Sequence, residues 1–149
     1  MAGFPPIRDY IEAALTAIQS VGTVHDYFRF IKGKVAIAAA LNEGGILNAW
    51  FIRKVGEANT WEGPGVLLTT HIVHLLGVME LNDAIASEKV FLGVVADVLA
   101  ALCIDYTYGG ICFQLKAPFL KSHEPKGFAG TLAHQAIIEL RLTERIDVS

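Results

Sequence analysis

His71 and His74 are the residues best suited to chemistry, an HxxH pair that chelates metal when both imidazoles share a helix face. The run that carries them, VLLTTHIVHLLGVMEL from Val66 to Leu81, is rich in Leu, Val, Ile and Thr and reads as a strand buried on both faces. Residues three apart on a strand point to opposite faces, so the two rings diverge. No cysteine or carboxylate nearby completes a metal quartet. No metal and no cofactor is expected. Nucleophilic chemistry finds no better support: there is no GxSxG elbow, and neither Cys103 nor Cys112 has the flanking motif of a thiol enzyme. Gly44-Gly45 and Gly109-Gly110 lack the spacing and lysine of a phosphate loop and read as turns. Glu80 with Asp83, and Glu139 with Glu144, read as surface or capping carboxylates. The chain is expected not to be an enzyme.

The elements that position these residues centre on that strand. After the polar break at Asn82-Asp83, Ser87 stands where an N-cap belongs, with Glu88 complementing the helix dipole. Val90, Phe91, Val94, Val95, Val98, Leu99 and Leu102 then recur at helical spacing as one broad apolar stripe. Upstream, Pro5 and Pro6 suit a helix start, and Ile7, Tyr10, Ile11, Ala14, Leu15, Ile18 and Val21 form a second stripe closed by Gly22. His25 to Ile31 is an aromatic connector, extended or a short turn, and Val35 to Leu41 reads as a short alanine-rich helix.

Ile46 to Val55 reads as a strand, with Trp50 and Ile52 alternating against Phe51 and Arg53. Gly56 to Gly65 has turn chemistry throughout and reads as a protruding loop with Trp61 at its tip, either folded back on the domain or exposed as a contact. Ile111 to Lys116 alternates as a half-buried strand stopped by Pro118, and Lys121 to Gly130 reads as a second polar loop. The last strand, His134 to Arg145, has apolar residues facing one way and mixed charge the other, with Ile137 out of pattern. The expectation is a single α+β domain over 1–149. In it a mainly antiparallel four-stranded sheet is packed by an N-terminal helix and a long central helix.

Composition bounds the partners. A chain of 149 residues can bury a real core unaided. It is 53% hydrophobic and only 18% charged, yet no apolar run reaches the roughly 20 residues of a spanning helix. MAGFPPIRDY lacks the basic segment and apolar run of a secretion signal. Burial between subunits is the better account of the excess apolar content, and no membrane partner is expected. A net charge of −3 argues against broad nucleic-acid binding. Both cysteines read as small apolar residues of a reduced compartment; a disulfide closing the turn between them stays open until geometry is known.

The order of elements resembles the lambda-type tail terminator proteins of long-tailed phages and prophages. The likeness rests on the Trp-containing strand ILNAWFIRKV, with Ile52 and Arg53 after Trp50, and on the segment THIVHLLGVMELNDAIASEKVF. It also rests on the strand ending at Ala117-Pro118 and the final HQAIIELRLTER. The family's A-x-S-E-x-x-F helix start is matched by Ala86, Ser87, Glu88 and Phe91, with the first spacing one residue short. The resemblance implies a structural virion protein. It would assemble as a ring, a hexamer in that family, that caps the tail tube, stops its polymerisation and docks the head connector or stopper.

Partners would be further copies, the tube protein and the connector, with DNA only as passing cargo. Its place would be the head–tail junction of the virion, after assembly in the host cytoplasm. The loops carrying Trp61 and Glu62, and His123, Lys126 and Phe128, are the candidate contacts. Glu139 and Glu144 are candidates for an acidic lumen. The alternatives are another head–tail joining or tail-tube protein, and a small-molecule-binding or enzymatic oligomer with a pocket lined by His71, His74, Tyr106 and Tyr108.

Overall fold

The computed structural model describes residues 3–25, 48–82, 86–128 and 131–148. The helix expected at Val35 to Leu41 and most of the aromatic connector lie outside them. The elements in chain order are α1 (Phe4–Thr16), β1 (Thr23–His25), β2 (Asn48–Gly63), β3 (Val66–Glu80), α2 (Ser87–Leu102), β4 (Phe119–Phe128) and β5 (Thr131–Asp147). The strands form one mixed sheet of five in the order β1-β2-β3-β5-β4. β1 runs parallel to β2, and every other pairing is antiparallel.

This corrects the expected four-stranded sheet in three places. First, β1 adds a short parallel edge, pairing Thr23–His25 with Ala49–Phe51. Second, the segment expected as a strand at Ile111 to Lys116 makes only a single bridge, Phe113 to Thr143. The fourth long strand is Phe119–Phe128, which carries Lys121, Pro125, Lys126 and Gly127 and therefore reads as a loop. Lysine and proline are the residues that blunt a sheet edge, and β4 is an edge strand. Third, Gly56–Gly63 is not a loop but the outer half of β2, with its backbone paired to β3 as far as Gly63 opposite Val66. Its side chains are largely exposed, so no apolar alternation marks it as a strand.

Both helices lie on one face of the sheet. α1 buries Ile7, Ile11 and Leu15, and α2 buries Phe91, Val94, Val95, Val98 and Leu102. They join Trp50, Ile52, Val73, Leu75, Ile138, Leu140 and Leu142 in one core. Each such large side chain contributes about 1.5–3 kcal/mol when removed from water. Gly77 makes room for the largest of them: a Cβ there would sit 2.6 Å from the Trp50 ring. Gly22 likewise admits Asn48, whose carbonyl oxygen would lie 2.1 Å from a Cβ, so it serves close approach rather than the end of α1, which stops at Thr16.

Candidate functional site: two sheet edges and three histidine clusters

Sheet order separates the candidate contacts. Trp61 and Glu62 end β2 on one side of the sheet, whereas His123, Lys126 and Phe128 lie on β4, the strand at the opposite edge. Trp61 is 65% exposed, so it does not fold back into its own core. Glu62 accepts a hydrogen bond from Arg145 Nε at 2.9 Å, which fastens the tip of β2 to β5 and raises the Arg145 pKa further. Lys54 donates to Glu57 at 2.6 Å, and Asn59 Nδ2 donates to the same carboxylate. The bond from Lys54, then that from Asn59, holds the Glu57 carboxyl below its ordinary range. On β4, Lys126 pairs with Glu124 at 2.8 Å, while His123 is half-buried, its ring 5.8 Å from Phe91 and 6.1 Å from His134.

The two carboxylates suggested for a lumen are enclosed within the chain. Glu139 and Glu144 are 6% and 4% exposed, and each is paired with a histidine of β3. Antiparallel register sets His74 opposite Glu139. Their side chains meet at 3.1 Å on the face away from the helices, with Arg141 Nε 3.3 Å and Lys121 Nζ 3.5 Å from the same carboxylate. The hydrogen bond to His74 is the main reason the Glu139 carboxyl lies below its ordinary range. His71 faces the helices and meets Glu144 at 2.6 Å, the other oxygen accepting the Gly3 N–H at 3.0 Å. The Phe4 ring lies 5.8 Å from His71, so this pair anchors the start of α1. The two imidazoles do diverge as a strand requires, and among the described residues no group of three or more His, Cys, Asp and Glu side chains could hold a metal ion.

A third histidine cluster was not foreseen. Ser87 is the first residue of α2, not its cap; Ala86, in a left-handed conformation, occupies that position. The Ser87 hydroxyl accepts the Asn82 N–H at 2.8 Å and, on its buried side, bonds His134 Nε2 at 2.8 Å. The contact spans 47 residues of sequence, so no local spacing reveals it.

The residues named for a pocket do not converge, since His71 and His74 take opposite faces, Tyr106 is exposed and Tyr108 is buried against Tyr10 with ring centroids 4.4 Å apart. The turn expected around Gly109-Gly110, after α2, is built on Asp105. Asp105 accepts bonds from the Thr107 N–H and hydroxyl and the Gly109 N–H, a set that lowers its pKa, the Thr107 hydroxyl foremost. The loop so fixed exposes Ile104 (84%) and Leu115 (81%). Both cysteines are free; Cys103 is exposed, and burial pushes the Cys112 thiol up to about 12.

No helix among the described residues is long and apolar enough to cross a membrane. No family model matches this chain, and no curated protein matches it.

Proposed function

We propose that this chain is a structural phage protein, a tail terminator whose copies close into a ring on the tail tube, stop its growth and offer a docking surface to the head connector. The resemblance carried by Trp50, Ile52, Arg53 and the Ala86 to Phe91 helix start supports this reading. One structural observation supports it most: among the described residues, the exposed outer part of β2 with Trp61 and the strand β4 with Lys121 and Lys126 lie toward opposite sides of the same sheet. Rings require heterologous contacts, in which two different patches of each protomer meet, and a protomer with two unlike sides supplies both.

The apolar excess fits the same reading. Exposed Trp61, Ile104, Tyr106 and Leu115 are large apolar side chains on a water-facing surface, the type that anchors protein interfaces. In this role the protein sits at the head–tail junction of the virion after assembly in the host cytoplasm, and DNA passes through the ring as cargo. The test is to add the purified chain to polymerising tail-tube protein and image the product. Capped tubes of arrested length support a terminator. Long tubes formed by the chain alone would make it a tube protomer, and a monomer that ignores tubes would end the structural reading.

A further inference from the structure

We propose that His71 is a proton-operated clamp. When its ring takes up a second proton, Nδ1 gains the Glu57 carboxylate as an acceptor, and one imidazolium then ties β2, β5 and the start of α1 together. The device is independent of the ring reading above and needs no second copy.

His71 is enclosed, and its two ring nitrogens are unequally served. Nε2 lies 2.6 Å from Glu144 Oε2, so it carries the proton of the neutral ring. Nδ1 is buried and has no hydrogen-bond partner, although Glu57 Oε1 stands 3.6 Å away. In the neutral ring Nδ1 presents a lone pair to a carboxylate oxygen, two acceptors face to face. A proton on Nδ1 turns that opposition into a charge-assisted bond, after a shift of about half an ångström. The strand register makes this meeting. The irregularity between Lys54 and Gly56 slips β2 by one residue, so that Glu57 rather than Gly56 stands opposite His71.

The charged groups around the ring are one proton short of balance. β2 supplies Glu57 and Lys54, joined at 2.6 Å, and β5 supplies Glu144. The start of α1 brings the Gly3 N–H, which Glu144 accepts, and the Phe4 ring; its first charged side chains, Arg8 and Asp9, pair with each other at 3.9 Å. From the segment after α2 the Cys112 thiol feels Glu144, but, pushed up to about 12 chiefly by burial, it stays uncharged. Two carboxylates against one ammonium leave a single negative charge, which an imidazolium cancels. Glu57, held below its ordinary range first by the Lys54 bond, remains an acceptor across about pH 5 to 8, where imidazoles change charge.

The clamp acts along the strand as well. Glu57 also accepts from Asn59 Nδ2 at 3.2 Å, and Asn59 accepts the Thr69 hydroxyl at 2.7 Å. Opposite His71, Thr69 and Leu67, the residues Glu57, Asn59 and Trp61 share one face of β2. A proton at His71 therefore firms the strand end that presents Trp61. Because the clamped form is the protonated one, it gains population as pH falls and loses it as pH rises.

The test joins nitrogen-15 NMR of the His71 ring to amide hydrogen exchange, both on the wild-type chain from about pH 8 to about pH 5. His71 Nδ1 should pass from unprotonated to protonated while the fold persists. After correction for the intrinsic rate, the amides of Glu57, Ala58 and Asn59 should exchange at least about threefold more slowly at the acid end, the scale of one partly exposed ion pair. Glu57→Ala changes a partly exposed side chain and leaves the His71–Glu144 pair in place, so it should keep the circular dichroism and abolish the acid slowing. His74 and Glu139, on the other face of the sheet, are the same in both chains, so the difference between the chains belongs to the clamp. An Nδ1 that stays unprotonated throughout, or is protonated already at the alkaline end, would overturn the proposal. So would wild-type amides that do not slow, or equal slowing in Glu57→Ala.

Discussion

Glu144 holds together parts of the chain that are far apart in sequence. Its carboxylate receives the Gly3 N–H, 141 residues away, and meets His71 across the sheet, with both side chains almost fully enclosed. Removing one member strands a buried polar partner, which costs roughly 1–3 kcal/mol. His71→Ala should therefore lower the urea unfolding free energy by about that amount. Replacing both with leucine should recover much of it, because an apolar pair leaves nothing unsatisfied. Glu139 makes a pH prediction. Its carboxyl lies below the ordinary value of 4.5, first because of the His74 hydrogen bond and then because of Arg141 and Lys121. A depressed carboxyl stabilises the fold fully above the unfolded value and loses that stabilisation as pH falls through the folded value. Urea midpoints should therefore decline below about pH 4.5, and Glu139→Gln should flatten part of that decline.

At the scale of elements, the close approach of Trp50 to Gly77 is the most exposed to disruption. Gly77→Ala places a methyl inside the indole contact and should destabilise by about 1–3 kcal/mol, read from the thermal midpoint. The buried elements were legible in the sequence because their stripes are apolar on the side that meets the core. The α2 stripe from Phe91 to Leu102, the central strand and the last strand all announce themselves in this way. The edges were not legible, for an opposite physical reason. Among the described residues the outer half of β2 and β4 are each held by backbone bonds to one neighbouring strand, and Glu57–Glu62 and most of Phe119–Gly127 are exposed, so glycine, lysine and proline stand where alternation is looked for. The pairings of Glu139, Glu144 and Ser87 with histidines depend on register between distant strands, which no spacing along the chain encodes.

For the whole molecule, the functional reading turns on what the exposed edges and apolar side chains do when copies meet. Trp61 touches water over most of its surface and contributes little to the core, so Trp61→Ala should leave circular dichroism and the thermal midpoint unchanged while weakening self-association. An anchoring tryptophan of this kind is worth about 2 kcal/mol or more, roughly thirtyfold in the association constant. Loss of folding with the substitution, or unchanged assembly, would remove Trp61 from the contact. The most direct measurement is the native mass in solution by light scattering across a concentration series. A ring-forming chain gives a single closed species at a fixed multiple of 16.1 kDa, sixfold for the hexamer that the resemblance implies. A mass that stays at one protomer at every concentration, with tail tubes present or absent, would contradict the ring.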